Sequence, residues 1–131
     1  MAIINQLMSW TSHDAATLTA FDGVIDQYLR YSTQTMSTLE GIQHQDPDFA
    51  LGHLFRGYQL KMASDPRFFE PIEQSVIAAE QTAGNARERA HVAALKAWQR
   101  NDTDKTSTLL GEILATDPTD LIALKAANHL H

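Results

Sequence analysis

Helix-starting residues recur along the whole chain, at intervals that leave room for short helices and short turns only. Three Asp-Pro pairs stand at positions 46–47, 65–66 and 117–118. In each pair the carboxylate can accept hydrogen bonds from first-turn amides, and the proline takes a helix position where its missing N–H costs nothing. Asn85 followed by Glu88 adds a sequence typical of a capping box. No segment shows a convincing strand pattern, so the sequence predicts an all-α protein.

Apolar residues between these signals repeat with the period of an α-helix. They predict seven helices, at about residues 14–30, 34–45, 48–63, 67–83, 86–100, 103–116 and 119–131. The connections are then about two to four residues long, which makes consecutive helices antiparallel neighbours that form hairpins. Residues 1–13 are apolar in part but lack a clear cap, and we expect them to form an N-terminal arm, either packed or frayed.

The spacing of the Asp-Pro pairs indicates that the hairpins repeat. The pairs that begin at residues 46 and 117 are 71 residues apart, close to twice the ~34 residues of a tetratricopeptide repeat. A register anchored on Pro118 places small Ala94 where the two helices of a hairpin approach closely, and the preceding unit has Gly57 at the same position. Such a close approach explains a glycine inside a helix despite its cost of ~1 kcal/mol. A helical bundle without repeats is the alternative.

Five segments carry a resemblance to a known family: DPDFAL at 46–51, RGY at 56–58, RERAHVAAL at 87–95, DLIALK at 120–125 and HLH at 129–131. In these segments the chain resembles the tetratricopeptide repeat protein 38 family, and the likeness covers most of residues 14–131. The resemblance implies a right-handed α-solenoid, and it implies no particular reaction. Because full-length members of that family are considerably longer, we expect this chain to be the N-terminal portion of such a protein.

The predicted organisation is therefore an N-terminal arm, residues 1–13, and tetratricopeptide-like repeats over residues 14–131. The repeats comprise about three hairpins and a final unpaired helix. Since a solenoid repeat relies on its neighbour to bury its apolar face, we expect the C-terminal edge to be an association surface. Residues 103–131 should then either contact a second copy or be poorly ordered. Leu121, Leu124 and Leu130 supply apolar side chains at this C-terminal edge.

A repeat array offers a concave groove lined by the first helix of each hairpin. In the tetratricopeptide register, four positions of each such helix generally face that groove. The predicted partner-binding residues are Leu51, Leu54, Tyr58, Glu88, His91, Leu95, Trp98, Ile122, Lys125 and His129. This mixed apolar and charged strip suits a peptide or a later segment of the same protein. A structural role, with His91 packed against a neighbouring helix, is the alternative for that residue.

Composition argues against several classes of partner. With 10 basic and 16 acidic side chains the net charge is −6, and no segment is basic enough to track phosphates, which disfavours nucleic-acid binding. No apolar run approaches the ~18–20 residues that cross a bilayer, so no membrane partner is expected. The chain has no cysteine, which excludes disulfides and thiolate metal sites and is compatible with a cytoplasmic protein.

Patterns that could carry catalysis or bind a metal are isolated. Glu88 and His91 have the i, i+3 spacing of a di-metal carboxylate motif, but such a site needs a second copy, and the sequence has none. It also lacks a Gly-x-Ser-x-Gly motif and a Gly-rich phosphate loop. We therefore predict a protein–protein interaction scaffold without metal or cofactor. The alternative is part of an enzyme whose active site is completed by a missing C-terminal region.

Overall fold

Helices account for nearly all of residues 15–29 and 35–130, which are the residues that the structure, a computed structural model, describes. The seven α-helices of these residues are α1 (Ala15–Leu29), α2 (Thr35–Gln45), α3 (Ala50–Met62), α4 (Phe69–Thr82), α5 (Ala86–Gln99), α6 (Thr103–Thr116) and α7 (Leu121–Leu130). A short 3₁₀ turn, Pro66–Phe68, precedes α4, and this part of the chain contains no strand. The all-α prediction is confirmed. The predicted arm at residues 1–13 lies outside the described residues.

Side-chain caps mark the start of some of the described helices, and one of the three Asp-Pro pairs caps as predicted. The Asp65 side chain accepts a hydrogen bond of 2.9 Å from a backbone N–H of the 3₁₀ turn. Residues 46–47 instead form a turn ahead of α3, whose first turn has no side-chain cap. Asp117 likewise forms a turn, because its carbonyl accepts the Asp120 N–H at 3.0 Å. That turn brings Asp120 to the capping position of α7, where its Oδ1 accepts the Ala123 N–H at 3.0 Å.

Consecutive helices pack pairwise along the chain, α1 with α2, α3 with α4 and α5 with α6, and α7 packs on α6. Helix α3 also packs against α5 and, one hairpin further along, against α7. In a linear repeat array each repeat contacts its nearest neighbours alone. The contact between α3 and α7 departs from that pattern, and it brings α3, α5 and α7 around one shared core.

Phe21 joins the first hairpin to that core. Its ring meets Phe49 and Phe55 edge to face, with ring centroids 5.3 Å and 5.5 Å apart. Aromatic pairs in this geometry stabilise beyond the area they bury. The side chains of Phe21 and Phe49 are almost fully buried, so the start of α3 packs firmly on α1.

Gly57 lies where three helices meet. A Cβ atom built at this position would lie 2.5 Å from Leu95 Cδ2 on α5 and 3.4 Å from Ser75 Cβ on α4. Gly57 thus contacts the following helix α4, as predicted, at an ordinary distance, and its tight contact is with α5. A methyl group here would force the terminal methyl of Leu95 to shift, so the glycine permits the close approach of α3 and α5.

Candidate functional site

Most of the predicted groove residues are buried. Eight of the ten have side chains no more than 8% exposed: Leu51, Leu54, Tyr58, Glu88, His91, Leu95, Trp98 and Ile122. They lie in the shared core because α3 packs against both α5 and α7. The half-buried Lys125 and the exposed His129 keep accessible side chains. The face that the register assigns to an open groove is thus filled by the chain's own side chains, and a partner can reach it at its edges.

A buried polar network links α3, α5 and the start of α7. His91 Nε2 lies 2.7 Å from Asp120 Oδ2, and the Tyr58 hydroxyl lies 2.9 Å from His91 Nδ1. Arg87 Nε donates to the same Asp120 oxygen at 3.0 Å. The other carboxylate oxygen caps α7 by accepting the Ala123 N–H. The Asp120 carboxylate therefore holds the start of α7 against α5. His91 connects α5 to α3 through its hydrogen bond with Tyr58.

Burial and neighbouring charges set the protonation states in this network. Burial alone raises the pKa of Asp120, but the hydrogen bond and charge of His91, the Ala123 N–H and the charge of Arg87 together hold it below the ordinary value. The pKa of Tyr58 is raised well above its ordinary value, chiefly by burial and secondly by the charge of Asp120. At neutral pH Asp120 is therefore a carboxylate that accepts, and Tyr58 is a phenol that can donate.

The groups of this network bond to one another and are not accessible to a substrate. Tyr58, His91 and Asp120 are each no more than 1% exposed. A second contact, from the Tyr58 hydroxyl to the His91 carbonyl at 3.3 Å, adds to the hold of α3 on α5. In a medium of low polarity such bonds are strong, and a group left unpaired is costly. The arrangement supports the structural alternative for His91.

Asn85 forms the predicted cap of α5. Asn85 Oδ1 accepts the Glu88 N–H at 2.8 Å, and Glu88 Oε1 accepts the Gly84 N–H at 2.9 Å. The Glu88 carboxylate thus reaches back to the residue before the cap and adds a second contact at the start of α5. Among the described residues, no group of three or more His, Asp or Glu side chains is arranged to hold a metal ion.

A cleft of about 560 Å³ opens at one edge of the core, where α3, α5 and α7 end and α4 begins. Its apolar lining includes Leu60, Phe69, Ile72, Trp98 and Leu130, and its polar lining includes Lys61, Ser64, Asp65, Gln99, Asn101 and His129. We call this the end cleft. Two predicted groove residues meet there, because the rings of Trp98 and His129 have centroids 5.8 Å apart. Another cleft, of about 550 Å³ between α5 and α6, is lined by none of the ten.

Two helix-ending turns shape the end cleft. Ser64 (φ 56°) and Asn101 (φ 61°) adopt the left-handed conformation that commonly ends helices. Their N–H groups donate to the carbonyls of Lys61 at 3.1 Å and Trp98 at 2.8 Å. Lys61 Nζ then donates to Asn101 Oδ1 at 2.8 Å and so links the two turns.

Sequence reasoning missed most of the side chains that line the end cleft, among them Lys61, Phe69 and Asn101. Phe69 is 62% exposed, although it begins a helix directly after an Asp-Pro turn and its type suggests the core. Neither turn has glycine at its left-handed residue, so the usual signal for such a helix end is missing. The sequence carries no signal that sets Phe69 apart, because apolar Ile72 follows one turn later, as on an ordinary core-facing side of a helix.

Comparison with protein-family models finds no match to this chain, and no solved structure matches it significantly.

Within the part of the chain that the structure describes, no helix combines the length and the apolar character needed to cross a bilayer.

Proposed function

We propose that this chain is a protein–protein interaction module, a tetratricopeptide-type array of helical hairpins that binds a segment of a partner protein. The observation that carries the proposal is the end cleft. Phe69 exposes 62% of its surface there, beside a floor that includes the buried side chains of Ile72 and Trp98. An exposed aromatic side chain at a concave apolar surface is typical of sites that bind other proteins.

The spacing of the helices supports a repeat of tetratricopeptide length. The first helices of successive hairpins begin at Ala15, Ala50, Ala86 and Leu121, which gives intervals of 35, 36 and 35 residues. These values are close to the ~34 residues of a tetratricopeptide repeat. Small residues at the hairpin crossings, Gly57 and the fully buried Ala94, add to the likeness.

The array differs from a linear solenoid in the contact of α3 with α7. That contact places most of the predicted groove residues inside the core, and the end cleft is an accessible concave surface that still includes two of them. We therefore place the partner site at the ends of the first helices, where Trp98 and His129 belong to both the predicted groove and the end cleft. The buried network of Tyr58, His91 and Asp120 holds this surface together.

Selection of random short peptides displayed on phage tests the proposal. We expect peptides enriched on the full chain to lose about tenfold or more in affinity, ~1.4 kcal/mol, when Phe69→Ala removes the exposed ring. Ile77→Ala is the matched control, because Ile77 is also on α4, is 44% exposed, and does not line the end cleft. Failure to enrich any peptide over an unrelated protein, or peptides that bind the Phe69→Ala and Ile77→Ala variants equally well, would refute the proposal.

A further inference from the structure

The end cleft has room for one large apolar side chain. Its volume is about 560 Å³, and its floor includes Ile72 and Trp98, each no more than 7% exposed. Phe69 stands at the rim with most of its ring in solvent. A side chain that entered here would cover Phe69 and replace water over the floor, which is favourable. Apolar contact alone sets no preference for the residues beside that side chain.

Two acceptor side chains at the rim, those of Asp65 and Asn101, are engaged within the chain. Both carboxylate oxygens of Asp65 accept hydrogen bonds from Arg67: the backbone N–H donates at 2.9 Å and the guanidinium donates at 2.6 to 3.1 Å. The Asn101 side-chain oxygen accepts from Lys61. These groups have little capacity left for a donor on a partner.

The donors at the rim are only partly used. An ammonium has three N–H groups, and that of Lys61 has one partner here, the neutral amide of Asn101. Among the ion pairs of residues 15–29 and 35–130, none includes Lys61. Partial burial lowers the pKa of Lys61, as expected for a cation that is desolvated without a counter-charge. The Asn101 amide adds two N–H donors beside it.

We propose that the end cleft recognises an acidic peptide segment of a partner protein, in which a large apolar side chain is flanked by Asp or Glu. The inference rests on the proposed function and adds the chemistry of the partner. The apolar side chain packs against Phe69 over the floor of the cleft, and a neighbouring carboxylate pairs with Lys61. A basic segment would bring like charge to Lys61, and a neutral one would bury the ammonium further without a counter-charge.

Two blocked peptides that differ in charge alone test the preference: acetyl-EDFLDE-amide and its neutral counterpart acetyl-QNFLNQ-amide. Isothermal titration of the full chain gives both affinities. Fluorescence of Trp98 in a Trp10→Phe variant reports on the cleft itself, because the chain has two tryptophans. We expect the acidic peptide to bind at least about tenfold more tightly at low salt, and the ratio to shrink as added salt screens the ion pair.

Lys61→Met identifies the source of that preference, since it removes the charge and keeps an unbranched apolar side chain. We expect it to bring the two peptides to similar affinity. Lys96→Met is the matched control, because Lys96 pairs with Glu80 at 2.6 Å and does not line the end cleft. Circular dichroism and thermal melts confirm that each variant is folded before affinities are compared.

Several outcomes would overturn the inference: equal affinities in the wild-type chain, tighter binding of the basic peptide acetyl-KRFLRK-amide, binding of neither peptide, or an acidic preference that survives Lys61→Met. A dimer in sedimentation that Phe69→Ala dissociates would also overturn it, because a second copy would then occupy the cleft. The two proposals fail separately. Displayed peptides that need Phe69 but carry no acidic residue would leave the interaction role standing and refute the acidic partner.

Discussion

Replacing Gly57 with alanine measures how closely α3 and α5 are packed. The new Cβ atom would lie 2.5 Å from Leu95 Cδ2, with Ser75 Cβ at 3.4 Å. Carbon atoms in favourable contact are ~3.5–4.0 Å apart, so the Leu95 side chain must move by roughly 1 Å. Leu95 is fully buried, and it can move only against its neighbours.

Two opposing terms set the size of the effect. Overpacking a core costs about 1–3 kcal/mol, and replacing glycine by alanine inside a helix gains about 1 kcal/mol. We therefore expect Gly57→Ala to lower the free energy of unfolding by about 1 kcal/mol. Gly57→Leu, with a larger side chain in the same space, should lower it by about 1–3 kcal/mol.

Gly111→Ala is the matched control, because this glycine also lies inside a helix, α6, and a Cβ there would meet no other atom within 4 Å. With nothing to displace, that alanine should raise the free energy of unfolding by about 0.5–1 kcal/mol. Urea unfolding followed by circular dichroism at constant m-value measures both variants. The argument would be wrong if Gly57→Ala stabilised the protein as much as Gly111→Ala does.

Shortening Leu95 provides a second check on the same contact. In a Leu95→Ala background the obstructing methyl groups are absent, so Gly57→Ala should become neutral or stabilising. The double-mutant cycle would then show a favourable coupling free energy between the two positions. Strictly additive effects of the two substitutions would show that the contact does not cause the cost.

Three further expectations follow from the structure. Asp120→Asn should lower stability by about 3 kcal/mol at pH 7, because it leaves Arg87 and His91 without their buried carboxylate. Folding lowers the pKa of Asp120, so this carboxylate contributes its full stabilisation above the unfolded carboxyl pKa of ~3.9. The stabilisation is lost as the pH falls through the pKa of Asp120 in the folded protein. The urea midpoints of wild type and variant should therefore converge in acid. Ser64→Gly should raise the free energy of unfolding by about 0.5–1 kcal/mol and so raise the melting temperature, because φ is 56° here and glycine adopts this conformation without strain. A lower melting temperature would contradict that explanation. Leu124→Glu should abolish any concentration-dependent association in sedimentation equilibrium, because Leu124 is an apolar side chain that is 37% exposed on α7. Association that is unchanged in the variant would place the contact between copies elsewhere.

Local sequence determined where the helices lie. Each helix of the described residues begins within two residues of its predicted start, because capping side chains and apolar periodicity act over a few neighbouring residues. The same local reasoning found Asn85 as a cap and Gly57 as a point of close approach. It did not find that Asp120, and not Asp117, caps α7, because the carboxylate of Asp120 is held by side chains of α5.

Tertiary structure decided which faces of the helices remain accessible. The contacts that bury the predicted groove join residues far apart in sequence: Tyr58 with His91, 33 residues on, and His91 with Asp120, 29 residues on. A repeat register assigns residues to a face of each helix, but it does not give the curvature of the array. Here the absence of a side chain at Gly57 and the buried carboxylate of Asp120 draw α3, α5 and α7 together, and their shared face becomes core. The end cleft forms where those helices stop, and its position follows from their mutual packing, which no single segment encodes.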